Sequence, residues 1–170
     1  MKNKPALNTG RRGTPFTRLF RLSILLIGLV GSPASLKAGA AVEVLTIRTA
    51  SGKEVAYQVE IADTDASRQK GLMYRTEMPS NRGMLLDFGA PEKVSIWMKN
   101  TFIPLDIIYV DAAGIITQIV EQAEPQSTSL MNSNARVRAV LEVNAGQAAY
   151  HGFKAGDQVI HHVFKPGTTE

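Results

Sequence analysis

The chain has no cysteine among its 170 residues and only one tryptophan. The absence of cysteine excludes a disulfide-stapled fold, a zinc site built on thiolates, a catalytic thiol and a lipidated N-terminal cysteine. Several catalytic and nucleotide-binding motifs are missing as well: Gly-x-Ser-x-Gly, His-Glu-x-x-His, a Gly-Lys-Ser phosphate loop and Gly-x-Gly-x-x-Gly. The sequence therefore gives no local support to the common nucleophile and nucleotide chemistries.

Acidic residues are absent from the first 40 positions, which hold 7 of the 19 Lys and Arg residues. Residues 41–170 therefore carry 12 basic and 15 acidic side chains, a net charge of −3, although the whole chain has a net charge of +4. Nucleic-acid binding requires a cationic folded domain rather than a cationic leader. The distribution of charge thus predicts that the protein does not bind nucleic acid.

A long hydrophobic run is also missing, since the apolar stretch 22–31 has about half of the roughly 20 residues that a membrane-spanning helix needs. Basic residues precede this stretch, and small residues follow it up to Ala38-Gly39-Ala40. This order is typical of a signal peptide cleaved near Ala40. We expect residues 1–40 to be removed and the mature protein to be periplasmic or secreted, without a membrane span. An uncleaved leader that anchors the protein in the inner membrane is the alternative.

After residue 40, short stretches rich in β-branched and aromatic residues alternate with turn-forming residues. Eight of these stretches are predicted strands: Val42–Thr49, Val55–Ala62, Gly83–Phe88, Val94–Asn100, Leu105–Asp111, Ile115–Glu121, Val137–Val143 and Gln158–Phe164. The first two should form a hairpin. Capping residues followed by helix formers predict two short helices, within 63–74 and 144–151.

The number of strands and the shortness of the helices indicate the fold class. Seven or eight strands without alternating long helices favour one mainly β domain over residues 41–170, an antiparallel sandwich or barrel rather than a parallel sheet. The polar stretch 123–134 contains Pro125 and predicts a long surface loop that could border a site.

The segment from Trp97 to Asp106 combines the most varied chemistry in the chain. If residues 101–104 form the loop of a hairpin, Lys99 lies opposite Asp106 on the face that also carries Trp97. One interpretation is a platform for a sugar or a small anion, made by an indole beside a cation and a carboxylate. The other is a core tryptophan with a cross-strand salt bridge that fixes the register.

Two charged residues outside this segment are further candidates. Arg75 follows the first predicted helix and either binds a ligand carboxylate or phosphate or ties a loop to a nearby acid. Glu142 alternates with apolar neighbours on a predicted strand, so we expect it to be solvated or, alternatively, to face the same platform as Trp97. With Asp106 it could also form the carboxylate pair of a glycosidase, at a separation that the sequence does not give.

Histidines give little support to a metal site. His161 and His162 are adjacent on a predicted strand, so their side chains should point to opposite faces. Two ligands on opposite faces cannot share one ion without distortion of the strand. We therefore expect no metal and no cofactor.

Five blocks of the sequence form a recognisable set: Gly71-Leu-Met-x-Arg75, Gly83-Met84-Leu85, Trp97-Met98-Lys99-Asn100-Thr101 with Pro104-Leu105-Asp106, Leu141-Glu142-Val143 with Gly146, and Gly156-Asp157. Together they resemble the DUF192 family of exported or membrane-associated bacterial and archaeal proteins, over nearly all of residues 43–163. The resemblance implies a compact β-sandwich of jelly-roll type with short helices. It implies no established activity.

The resemblance gives weight to a ligand site made by the polar, charged and aromatic members of these blocks: Arg75, Trp97, Lys99, Asn100, Thr101, Asp106 and Glu142. We expect an exported binding module for a small polar ligand, a sugar or an anionic envelope fragment, with Trp97 stacking on it. A carboxylate-dependent hydrolase of envelope glycans and a structural or interaction protein of the envelope are the alternatives. No catalytic residue is assigned, and the sequence does not define the oligomeric state.

Overall fold

A computed structural model describes residues 42–164, so the predicted signal peptide and its cleavage site lie outside the described residues. The described elements are, in chain order, β1 (Val42–Arg48), β2 (Glu54–Ala62), α1 (Asp65–Lys70), β3 (Arg82–Glu92), β4 (Ser95–Ile96), β5 (Leu105–Val110), β6 (Ile116–Ala123), β7 (Met131–Asn132), β8 (Val137–Asn144), α2 (Gln147–His151) and β9 (Gln158–Ile160). Neither of these helices is long and apolar enough to cross a membrane.

Seven of the strands form one sheet in the order β6-β5-β8-β3-β2-β1-β9, and β4 pairs with β7 in a small second sheet. The β2–β3 pair is parallel, because the chain crosses over through α1, and the other pairs are antiparallel. The hairpin predicted for the first two strands is confirmed, with Val42 opposite Glu60 and Arg48 opposite Glu54.

The two edges of the large sheet meet, so the sheet curls round on itself. The amide of Val159 donates to the carbonyl of Gly114 at 2.7 Å, and the amide of Ile116 donates to the carbonyl of Asp157 at 2.9 Å. A mainly β fold with two short helices is therefore confirmed. The sandwich arrangement is not confirmed, because most strands belong to this one curled sheet.

Two apolar clusters cover the two faces of the central strands. The inner cluster fills the curl with alternate residues, such as Ile108 on β5 and Leu141 on β8. The outer cluster, which includes Ile107 and Val140, lies under Leu72, Met98 and their neighbours. Strand β5 is buried along its whole length because it lies between the two clusters.

The predicted hairpin between 94–100 and 105–111 is wrong. Strand β4 is only two residues long and pairs with β7, whereas β5 pairs with β6 and β8. The predicted surface loop 123–134 binds the segment after β4 instead: the amide of Met98 donates to the carbonyl of Ser127 at 2.9 Å, and the amide of Gln126 donates to the carbonyl of Thr101 at 3.0 Å. These backbone bonds hold residues 97–101 against the outer face of the sheet.

Candidate functional site

A cavity of about 260 Å³ lies on the outer face of the sheet, between α1 and the segment 95–101. Glu142 lines this cavity together with Gly71, Trp97 and Thr101. Alternation along β8 sends Leu141 into the inner cluster and Glu142 outward, under the cover of α1 and the segment after β4. The Glu142 side chain thus enters the cavity from a central strand that pairs with β3 on one side and β5 on the other.

The carboxyl group of Glu142 is buried and incompletely satisfied. The residue is 5% exposed, and its Oε2 atom has no hydrogen-bond partner. A Cβ atom at Gly71 would lie 3.6 Å from Oε2, so the glycine lets the backbone after α1 approach the acid closely. Because an unpaired buried acceptor is costly, Oε2 offers a strong attachment point for a hydroxyl or amide donor.

The environment of Glu142 also changes its acidity. Burial raises the pKa of its carboxyl to about 7, although the Arg75 guanidinium acts in the opposite direction. Arg75 is committed elsewhere, since its two terminal nitrogens bind the two carboxylate oxygens of Glu60 at 2.6 and 2.7 Å. This fork lowers the pKa of Glu60. Near neutral pH, Glu142 can therefore either donate or accept a hydrogen bond.

Trp97 forms the rim of the cavity and is 39% exposed. A second depression, of about 350 Å³, lies beside it and is lined by Lys70, Lys99 and Asn100 among others. The two hollows share four lining residues: Gln69, Lys70, Met73 and Trp97. The Lys99 ammonium lies 5.2 Å from the centre of the indole ring, and within residues 42–164 it forms no salt bridge. The indole at the rim of the cavity therefore lies next to a cationic group.

The structure brings together five of the seven predicted site residues. Trp97, Thr101 and Glu142 line the cavity, and Lys99 and Asn100 line the neighbouring depression. The expectation that Glu142 is solvated is wrong, because α1 and residues 95–101 cover that face of β8. Arg75 lies near Glu142 and binds Glu60, so it ties the chain after α1 to β2.

Asp106 lies apart from this group. It is fully buried, and its two oxygens accept the amides of Gln122 at 2.9 Å and Ala148 at 2.8 Å. The predicted pair between Lys99 and Asp106 is therefore not formed. The reason is that the hairpin on which the pairing depended does not exist, and alternation along β5 turns Asp106 away from the outer cluster.

Sequence reasoning missed the contribution of α1, whose last residues and Gly71 form one wall of the cavity. Gly71 has a φ of 46°, in the left-handed region that favours glycine. The Gly71-Leu-Met block before Arg75 is the feature of the sequence that points to this wall. The block alone does not indicate that its backbone packs over a buried acid.

The prediction for His161 and His162 is also wrong. Strand β9 ends at Ile160, and the amide of Phe164 donates to the carbonyl of His161 at 3.0 Å, which closes a turn. The two imidazole rings therefore lie on the same side, with centres 4.3 Å apart. Both approach the carboxylate of Glu43 on β1.

The family model of DUF192, described as "Uncharacterized ACR", matches residues 46–161. The chain belongs to the DUF192 family. The blocks Gly71-Leu-Met-x-Arg75 and Trp97-Met98-Lys99-Asn100-Thr101 lie within the matched residues, and each contributes residues to the wall of the cavity. No curated protein matches this DUF192 chain.

Solved structures that are similar to this DUF192 protein include the following two. One is a Sinorhizobium meliloti protein described as a "putative transcription regulator", with 40% identity, 73% of this chain and 96% of the other covered, and a TM-score of 0.72. The other is a protein of unknown function from Novosphingobium aromaticivorans, with 35% identity, 78% and 94% covered, and a TM-score of 0.70.

Proposed function

We propose that this DUF192 protein binds a small sugar-like ligand in the cavity above Glu142. The observation that carries the proposal is the buried Oε2 atom of Glu142, which lines the cavity and has no hydrogen-bond partner. A ligand hydroxyl supplies the missing donor. The cavity, at about 260 Å³, is slightly smaller than sites for drug-sized ligands, which measure roughly 300–1,000 Å³. A single sugar ring matches this size better than an oligosaccharide does.

The neighbouring depression supports a further feature of the ligand. Lys70 and Lys99 line it, and Trp97 and Lys70 also line the cavity. An acidic substituent would be unfavourable next to Glu142 and favourable beside these two ammonium groups. The ligand class that fits both hollows is therefore a sugar whose ring hydroxyls reach Glu142 and whose carboxylate lies near Lys99.

Other functions have less support. A glycosidase needs two carboxyl groups on either side of the scissile bond, and Asp106, the predicted partner of Glu142, has both oxygens bound to backbone amides elsewhere. Transcription regulation, as in the description of the Sinorhizobium protein, is not proposed for this chain, because the net charge of −3 over residues 41–170 opposes binding to DNA.

The cellular setting of the proposal is the cell envelope. The basic leader, the apolar stretch and the small residues up to Ala40 support export. Acidic and N-acetylated sugars of the envelope are then the accessible ligands.

Trp97 provides a direct test, because it is the only tryptophan of the chain and lies at the rim of the cavity. N-acetylmuramic acid and N-acetylglucosamine are suitable probes, since they differ by one lactyl carboxylate. We expect both to change the fluorescence of Trp97 and to raise the melting temperature, and N-acetylmuramic acid to bind at least several-fold more tightly.

Variants separate the two parts of the site. Glu142→Gln and Thr101→Val should weaken both sugars, whereas Lys99→Gln should reduce only the preference for N-acetylmuramic acid. Phe102→Ala is the matched control, because Phe102 directly follows Thr101 and is 44% exposed but does not line the cavity. The proposal fails if neither probe changes fluorescence or melting temperature, or if Phe102→Ala weakens binding as much as Glu142→Gln does.

A further inference from the structure

A second cluster of chemically active side chains lies far along the sheet from Glu142, where β1 begins and β9 ends. Glu43, His161 and His162 each place one potential ligand atom within 4.8 Å of the other two. The Nε2 atoms of His161 and His162 lie 3.2 and 2.5 Å from Oε2 of Glu43. Two imidazoles from the turn after β9 and one carboxylate from β1 thus converge on a single point.

His161 gives independent support for a ligand at this point. Its side chain is only 2% exposed, and its Nε2 atom, although 3.2 Å from Glu43, makes no hydrogen bond. A buried imidazole nitrogen without a partner, directed at a carboxylate and a second imidazole, has the character of a metal ligand.

We propose that Glu43, His161 and His162 bind a divalent transition-metal ion such as Zn²⁺. Neutral imidazole nitrogens and a carboxylate oxygen are ligands that Zn²⁺ accepts, and three protein ligands leave a fourth position for water. Ligand atoms about 2.0–2.1 Å from a tetrahedral ion lie about 3.3 Å apart, close to the distance of 3.2 Å between Glu43 and His161.

His162 has the freedom to complete the site. Its distance of 2.5 Å from Glu43 must lengthen by less than about 1 Å to admit an ion. The side chain is 72% exposed, so a small rotation towards solvent is open to it. The ion would then join the start of β1 to the turn after β9, two segments that otherwise meet through the short β1–β9 ladder.

Isothermal titration of the full chain with ZnCl₂ tests the site, provided that the protein is purified without a histidine tag. We expect one Zn²⁺ per chain and a higher melting temperature in its presence. His162→Gln and Glu43→Gln should each weaken Zn²⁺ binding at least about tenfold, the scale seen when even indirect supports of a metal site are removed. His162 is exposed, so its replacement leaves the core intact.

His151→Gln is the matched control, because His151 is the remaining histidine of the chain and lies on α2. Binding that is absent in the original protein, unchanged in both site variants, or lost equally in His151→Gln would overturn the proposal. Electron paramagnetic resonance with Cu²⁺ provides the second measurement. It detects coordination by the His161 imidazole without a substitution at His161. Two imidazole nitrogens should couple to the copper in the original protein and one in His162→Gln, and a spectrum without nitrogen coupling would contradict the site.

Discussion

Glu142 links the stability of the protein to pH because its carboxyl is buried inside the outer face of the sheet. Its pKa of about 7 in the folded state exceeds the ordinary value of 4.5, so the folded state holds the proton more tightly than the unfolded state does. The contribution of this group to the free energy of unfolding is therefore complete below about pH 4.5 and is lost as the pH rises through 7. A shift of this size corresponds to about 3 kcal/mol.

Glu142→Gln should remove this dependence, because the amide keeps the shape of the side chain and does not titrate. We expect the loss of unfolding free energy between pH 5 and pH 8 to be about 2 kcal/mol smaller in the variant than in the original protein, measured by urea denaturation. Glu121→Gln, on an exposed part of β6, serves as the control and should leave the pH dependence as it is. Parallel curves for Glu142→Gln and the original protein would show that the buried acid does not titrate as described.

At the scale of single elements, Asp106 serves as a substitute cap for α2. This helix has only five residues, and its N-cap, Gly146, has no side chain to bind the free amides. Asp106 on β5 accepts the amide of Ala148, and its other oxygen accepts the amide of Gln122, where the chain leaves β6 with a φ of 52°. One buried carboxylate thus holds two irregular stretches against the central sheet.

Asp106→Ala should destabilise the protein by about 2–4 kcal/mol, because the buried amide of Ala148 and the partly buried amide of Gln122 lose their acceptor. Asp65→Ala, at an exposed aspartate of α1, should cost less than about 1 kcal/mol. Urea denaturation measures both costs. If Asp106→Ala kept its stability but lost N-acetylmuramic acid binding, Asp106 would have to be assigned to the ligand site after all.

The elements that the sequence predicts well are those whose pattern depends on local alternation. Strands β1, β2, β5, β6 and β8 lie within a few residues of their predicted bounds. Strand β4 is shorter than predicted because residues 126–127 form hydrogen bonds with the backbone that follows it. The sequence around β4 does not indicate these bonds, because their partners lie about 25 to 30 residues away. Five of the predicted site residues do lie beside one of the two hollows, yet the burial of Glu142 depends on α1, which is distant in sequence.

For the whole molecule, the decisive contact is the one that closes the curled sheet at Gly114. A Cβ atom there would lie 2.5 Å from the carbonyl oxygen of Val159, and the residue has a φ of 83°. Gly52 in the β1–β2 turn has a similar φ of 85°, but a Cβ atom added there would have nothing within 4 Å. A substitution at Gly52 therefore measures the free-energy cost of backbone strain alone. A substitution at Gly114 adds the cost of a steric clash with the strand that closes the sheet.

We expect Gly52→Ala to destabilise the protein by about 1–2 kcal/mol through strain alone. Gly114→Ala should cost about 2–5 kcal/mol, since overpacking against the backbone adds to the same strain. Urea denaturation gives the two values, and hydrogen exchange at the Val159 amide should accelerate only in Gly114→Ala. If the two variants lost the same free energy of unfolding, the contact between Gly114 and Val159 would adjust to the added methyl group without a measurable cost.

The contact between Glu43 and His162 has a topological consequence. The first and last described strands are neighbours, so the described chain leaves the sheet at nearly the same place where it enters. Because the edges of the sheet also meet, the strands follow one another around a closed ring. A circular permutant that joins these ends through a short linker and opens the turn at Gly52 keeps every strand beside its present neighbours. We therefore expect the permutant to fold as the original protein does.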